Sequence, residues 1–201
     1  MQQENNNPLY PVFFKLHKLK MLIVGAGEVG FEKMFFILKS SPDAVITVVA
    51  PDINPEITDL LEKMSDHKVT IIQKPFEAKD IDGHDLIVAA TNIRALNHEV
   101  HHIAKEKGKL INVADTPDLC DFYLGSIVTR GNLKVAISTN GQSPTLAKRF
   151  RQVLEEILPQ ETNQLLSNLK QIRDQLKGGF TVKVKQLNDI TSSLVDHEPD
   201  H

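Results

Sequence analysis

Met21-Leu22-Ile23-Val24-Gly25-Ala26-Gly27-Glu28-Val29-Gly30 is the stretch on which the fold turns. An unbroken apolar run of strand character leads into G-x-G-x-x-G, and a helical pattern from Glu28 to Lys39 follows. In this arrangement Gly25 permits a tight turn and Gly27 lets a pyrophosphate approach the backbone. Gly30 lets the helix pack close to the strand. The first turn of the helix then offers unpaired N–H groups to anionic oxygens, so Glu28 and Val29 join the glycines as expected dinucleotide contacts. A bare glycine pattern is weak evidence, and its context carries the reading.

That context extends downstream. Val45–Val49, Val69–Ile72, Leu86–Ala90 and Leu110–Val113 read as further strands, unbroken and rich in β-branched residues, as expected for strands buried on both faces. Helical patterns cover Asn54–Met64 and Arg94–Lys107 between them. This alternation predicts an α/β fold with a doubly wound parallel sheet, whose ligands bind at the carboxyl ends of the strands. Three strand ends therefore hold candidates. After the second strand, Ala50 occupies the usual acidic ribose position, so Asp52 or the backbone of Pro51-Asp52 is the expected ribose contact, with helix capping as the alternative for Asp52. No basic residue is evident there to meet a 2′-phosphate, which favours NAD over NADP. After the fourth, Thr91 faces the cofactor or caps the helix from Arg94. After the fifth, Asp115 is an acid/base candidate beside the nicotinamide end, or a turn residue ahead of Pro117.

Composition narrows the function classes. The 201 residues carry 23 Lys+Arg against 26 Asp+Glu, a net charge of −3, with 41% hydrophobic residues and a mean hydropathy of −0.21. This balance argues for a chain with a real core and against general nucleic-acid binding. No apolar run approaches a membrane span, the N-terminus does not read as a signal peptide, and the single Cys120 fits a reducing cytoplasm. His98-Glu99-x-x-His102 matches a zinc-protease signature, yet Leu96, Val100, Ile103 and Ala104 define the buried face of that helix and leave both histidines outside; no metal site is expected.

The second half is built differently. Gly125–Arg130 and Leu133–Ser138 flank Gly131-Asn132 as a hairpin, which is marginal alone and expected to pair across subunits in a homodimer. Ser138-Thr139-Asn140-Gly141-Gln142-Ser143-Pro144 precedes a helix with an apolar face of Phe150, Val153, Leu154, Ile157 and Leu158. Ser143 is a good N-cap, and this helix start reads either as an ordinary cap or as an anion site with Lys148, Arg149 and Arg151 nearby. Pro159 ends the helix, a second one ends at a Gly178-Gly179 C-cap, and a last weak helix spans Lys185–Leu194 ahead of a frayed tail.

Taken in order, Tyr10-Pro11-Val12-Phe13, the glycine turn, Ala89-Ala90-Thr91-Asn92 with Leu96-Asn97, Asn112-Val113-Ala114-Asp115, Ser126-Ile127 and Ser138–Pro144 with Ala147 and Arg149 resemble the precorrin-2 dehydrogenase/sirohydrochlorin ferrochelatase family. The resemblance runs from about Leu9 to Arg151. It implies a Rossmann domain (1–114), a dimerisation and substrate segment (115–145) and a helical C-terminal domain (146–201). The implied activity is NAD-dependent oxidation of precorrin-2 to sirohydrochlorin, with iron insertion in several members. It also implies Asp115 as the key carboxylate, cofactor contacts around Glu28-Val29 and Pro51-Asp52, and substrate contacts at Asn112, Asn140, Gly141, Ser143 and Arg149. A non-catalytic NAD-sensing domain is the competing reading; such a sensor would not need the segment from Asp115 to Arg151.

Overall fold

A computed structural model describes residues 7–192. Five strands, β1 (Lys20–Val24), β2 (Val45–Ala50), β3 (Lys68–Gln73), β4 (Leu86–Ala89) and β5 (Leu110–Val113), form one sheet in the order β3-β2-β1-β4-β5. All four pairings are parallel. The order reverses at β1, so the carboxyl edge there is the crevice in which ligands of this architecture bind.

Each face of the sheet has its own core because successive strand residues point to opposite sides. Met21, Ile23, Ile46, Val48 and Val88 pack with Met34, Ile37 and Leu38 of α1 (Glu28–Ser40) and Ile57 of α2 (Pro55–Glu62). Leu22, Val24, Val49, Ile87, Ile111 and Val113 pack on the other face with Val100 and Ala104 of α3 (Arg94–Glu106). The expectation of strands buried on both faces holds for β1 and β4 but not for β3, where Ile72 is 37% exposed. β3 is an edge strand with one neighbour; Val69 and Ile71 pack inward, leaving Thr70 and Ile72 outside.

The described residues divide into two compact units, one reaching Ser126 and including 138–147, the other made of 127–137 and the described residues from Lys148 on. Within the second, β6 (Ser126–Arg130) and β7 (Leu133–Ile137) make a separate two-stranded sheet. The hairpin is anchored inside its own chain. Arg130 donates from Nε to Leu158 O at 3.2 Å and from Nη2 to Glu155 O, satisfying carbonyls at the end of α4 (Pro144–Ile157). Asn163 Oδ1, on α5 (Thr162–Gln175), accepts from Asn132 N at 3.0 Å and Nδ2 at 3.1 Å. Pairing across subunits is therefore not required to hold these two strands.

Two helix boundaries differ from expectation. α5 ends at Gln175 with Leu176 as its C-cap, so Gly178 (φ 105°) turns the chain after the helix has stopped. α6 spans Phe180–Thr191, starting five residues before the expected Lys185, because Gly179 supplies its N-cap and Phe-Thr-Val-Lys-Val adopts helix despite its strand-like alternation. Leu194 and the expected frayed tail lie outside the described residues.

One contact sets how closely α1 sits on the sheet. A Cβ built on Gly30 would lie 2.1 Å from Gly25 O, in backbone that cannot swing aside. Gly30→Ala is expected to destabilise the protein by about 1–3 kcal/mol or more, read as a lower urea midpoint. An unchanged midpoint would contradict this packing.

Candidate functional site

The parallel register brings four chain crossings together along the carboxyl edge, in the lateral order β2, β1, β4, β5. Backbone bonds continue the sheet past the strand ends: Gly25 N donates to Val49 O at 2.9 Å, Ala90 N to Val24 O at 2.8 Å and Ala114 N to Ala89 O at 2.9 Å. Pro51-Asp52, the glycine turn, Thr91 and Asp115 therefore follow one another across the edge. At about 4.8 Å per strand they span roughly 14 Å, a length suited to a dinucleotide laid along the edge.

The glycine turn divides its work among its residues. Gly25 has φ 104°, and a Cβ there would come 2.6 Å from Ala90 O. Gly25 and Gly30 are thus required by the protein itself. Gly27 is not, since a Cβ on it would meet nothing within 4 Å. That open space lies at the N-cap of α1, where no side chain caps the helix. The first N–H groups of a helix lack partners within it, so Glu28 and Val29 present donors beside free space. These residues fit a pyrophosphate.

At the second strand end, Asn54 rather than Asp52 caps α2, its Oδ1 accepting from Glu56 N at 3.0 Å. Asn54 N also donates to Ala26 O at 2.9 Å, tying this loop to the glycine turn. Asp52 is exposed and performs no capping, which removes the structural alternative for it. Gln73 Nε2 donates to Pro51 O at 3.0 Å, so that carbonyl is held from β3.

The N-cap of α3 is Ile93, whose own side chain makes no cap bond, and Thr91 stands just ahead of it, its Oγ1 accepting from Ile93 N at 3.1 Å. Thr91 is also locked to buried Asn97. Thr91 N donates to Asn97 Oδ1 at 3.2 Å, the two side chains meet at 2.7 Å, and Asn97 Nδ2 donates back to Thr91 O at 3.0 Å. The reading of Thr91 from its strand-end position alone missed this lock. Asn97 sits in the first turn of α3 and is 6% exposed; an amide there, six residues after Thr91, was the available signal in the sequence.

Asp115 is exposed and left-handed (φ 56°), a conformation that short polar side chains tolerate better than most. Its turn is pinned by neighbours. Cys120 Sγ lies 3.2 Å from Val113 N and 3.3 Å from Val113 O, and 3.4 Å from Thr116 O. Burial pushes the Cys120 thiol pKa up, which suits packing rather than nucleophilic work. Asn112 is 6% exposed and its Nδ2 donates to Phe122 O at 2.9 Å. Its amide faces the protein interior and secures the segment after Asp115, a supporting position rather than an open binding one.

Ser138, Thr139, Asn140, Gln142, Ser143 and Leu146, with Asn7, line an open cavity of about 350 Å³. Asn140 and Gly141 both have positive φ (52° and 75°), which makes the tight approach to α4. Ser143 caps α4, its Oγ accepting from Leu146 N at 3.2 Å. Of the basic residues on α4, Arg151 pairs with Glu155 at 2.7 Å and Arg149 donates to Gln152 Oε1 at 3.0 Å. His98 and His102 are exposed, and His102 Nε2 sits 3.2 Å from Glu106. Among the described residues no helix is long and apolar enough to cross a membrane.

Known proteins share this construction. A family model described as NAD(P)-binding matches residues 12–126, and one described as sirohaem biosynthesis protein central matches residues 130–157. A siroheme synthase of Psychrobacter sp. (strain PRwf-1) is 40% identical over 168 residues, covering 84% of this chain and 34% of its own. Another, of Methylococcus capsulatus (strain ATCC 33009 / NCIMB 11132 / Bath), is 37% identical over 83% of this chain and 34% of its own. The chain thus spans about a third of the length of these curated relatives. The solved structure of SirC, precorrin-2 dehydrogenase, superposes with a TM-score of 0.69 at 28% identity, covering 90% of this chain and 89% of that one. With the glycine turn built for a pyrophosphate and more than half its length matched, the chain belongs to the NAD(P)-binding family.

Proposed function

We propose that this chain is an NAD-dependent dehydrogenase that oxidises precorrin-2 to sirohydrochlorin. The observation that carries the reading is the alignment of the glycine turn and Asp115 on one sheet edge. It is supported by the likeness of nearly the whole chain to SirC, precorrin-2 dehydrogenase. A sensor would need the first of these features and has no use for the second.

The oxidation removes a hydride and a proton from the macrocycle. Bound NAD supplies the hydride acceptor. The chain supplies position and proton chemistry. Gly27, Glu28 and Val29 hold the pyrophosphate, Pro51-Asp52 meets the adenosine ribose, and the Asn97 lock keeps the Thr91 turn in place between them and Asp115. Asp115 accepts the departing proton and balances the positive charge that develops on the macrocycle. Its exposure lets a large ligand reach it. Asn140, Gly141, Ser143 and Arg149 are assigned to substrate carboxylates, of which a precorrin carries many. The same Asp115 carboxylate can take pyrrole protons when iron is the second substrate.

The working form is proposed to be a cytoplasmic homodimer. The hairpin does not carry this, being anchored in its own chain. The support is α4, where Leu146, Phe150, Val153 and Ile157 recur at helical spacing and are each about half exposed or more.

Three outcomes follow from these assignments. Gly27→Ala should fold with an unaltered urea midpoint yet bind NAD about tenfold or more weakly by calorimetry, because the added methyl meets only the cofactor. Retained NAD affinity would place the pyrophosphate elsewhere. Asp115→Asn keeps a side chain suited to φ 56° and removes only the charge. Precorrin-2 turnover should fall about 10²–10⁴-fold with NAD affinity unchanged; near-normal turnover would reduce Asp115 to a turn residue. Sedimentation should show a dimer that Phe150→Glu converts to monomer with its circular dichroism intact, and a monomeric unmodified protein would refute the assembly.

A further inference from the structure

The strand order places one more chain crossing beyond Asp52 on the carboxyl edge. β3 lies outside β2, and Gln73 is the register partner of Ala50. Lys74, the next residue, donates its backbone N–H to Ala50 O at 3.0 Å. A cation thus stands at the adenosine end of the edge, although none is visible in the sequence around Pro51-Asp52. A lysine here has the charge to receive a 2′-phosphate.

That cation is already engaged. Lys74 Nζ lies 2.8 Å from Asp80 Oδ1 and 3.2 Å from Glu77 Oε2. Its partners are themselves fixed. Glu77 N donates to Asp80 Oδ2 at 2.9 Å, and the two residues form a reciprocal capping box on the 3-10 turn Ala78–Ile81. Ile81, at the end of that turn, is fully buried in the core beneath the sheet. The Asp80 side chain is only 10% exposed, and Lys79 adds a further 2.6 Å pair to Glu77. Two cations and two anions cancel, so a 2′-phosphate would meet a neutral cluster and the carboxylate of Asp52. The hydrogen bond to Asp80 also raises the Lys74 pKa above its ordinary value, as expected for a cation held by its partner.

We propose that the Glu77–Asp80 turn sets the preference for NAD over NADP by holding the Lys74 ammonium away from the 2′-phosphate position. This rests on the NAD reading above and adds a mechanism of selectivity to it. A selectivity switch of this kind lies in the partners of a lysine, and replacing the carboxylates should release it.

The test is calorimetric titration of the full chain with NAD and with NADP, on the unmodified protein, on Glu77→Gln, on Asp80→Asn and on Asp80→Asn combined with Lys74→Met. Asn keeps one carbonyl oxygen that can take the place of the Asp80 Oδ2 accepting from Glu77 N, and Glu77 is half exposed, so the two single variants guard each other against a folding artefact. Asp80→Asn and Glu77→Gln are expected to tighten NADP binding, the former by about tenfold, the scale of one new charge-assisted hydrogen bond. NAD affinity should stay within about twofold, and Lys74→Met should cancel the gain. NADP affinity unchanged in both single variants, or a gain that persists without Lys74, would overturn the inference while leaving NAD binding intact. Failure of the unmodified chain to bind either nucleotide would overturn the cofactor reading itself, and the inference with it.

Discussion

The approach of Gly30 to the carbonyl of Gly25 is the constraint on which the rest depends. No side chain fits between them, so α1 begins directly above the end of β1 with its first N–H groups uncapped by any side chain. The same Gly25 approaches Ala90 O, so the β1 and β4 ends are drawn together at one point. Moving either glycine would change the spacing of the whole carboxyl edge. The site is in this sense a by-product of how the first helix must pack.

From that point the edge is assembled by backbone bonds, and side chains are left to secure the turns. Gln73 holds the Pro51 carbonyl, Asn54 ties its loop to Ala26, Asn97 locks Thr91, and Cys120 with Asn112 braces the turn bearing Asp115. None of these bracing groups needs to touch a ligand. With these groups buried or engaged, Asp52 and Asp115 stand exposed on the edge. A division between braced turns and exposed acids is what a preorganised site requires.

The sheet was legible because its strands are short, continuous and apolar, and the glycine spacing marked where the chain crosses its edge. Legibility failed where a residue's role is decided by a partner distant in sequence. Asp52 reads as a candidate cap of the following helix, and only geometry assigns that role to Asn54. The resemblance implies Asn112 as a substrate contact, whereas its amide is committed to Phe122 O, ten residues on. Val69–Ile72 looks like a central strand because composition does not reveal which strand lies at an edge. Phe180–Val184 alternates like a strand, yet Gly179 starts a helix there. Lys74 was missed for the same reason, being brought to the end of β2, at Ala50, only through the β2–β3 pairing.

The central claim is that the cofactor lies along the carboxyl edge with its pyrophosphate at the Gly27 turn. Amide-resolved NMR titration of the full chain with NAD addresses it without any turnover. The account predicts shift changes concentrated at Gly27, Glu28 and Val29, extending to Asp52 on one side and to Thr91 and Asp115 on the other. Saturable changes confined to other regions, with the Gly25–Gly30 amides unmoved, would contradict it.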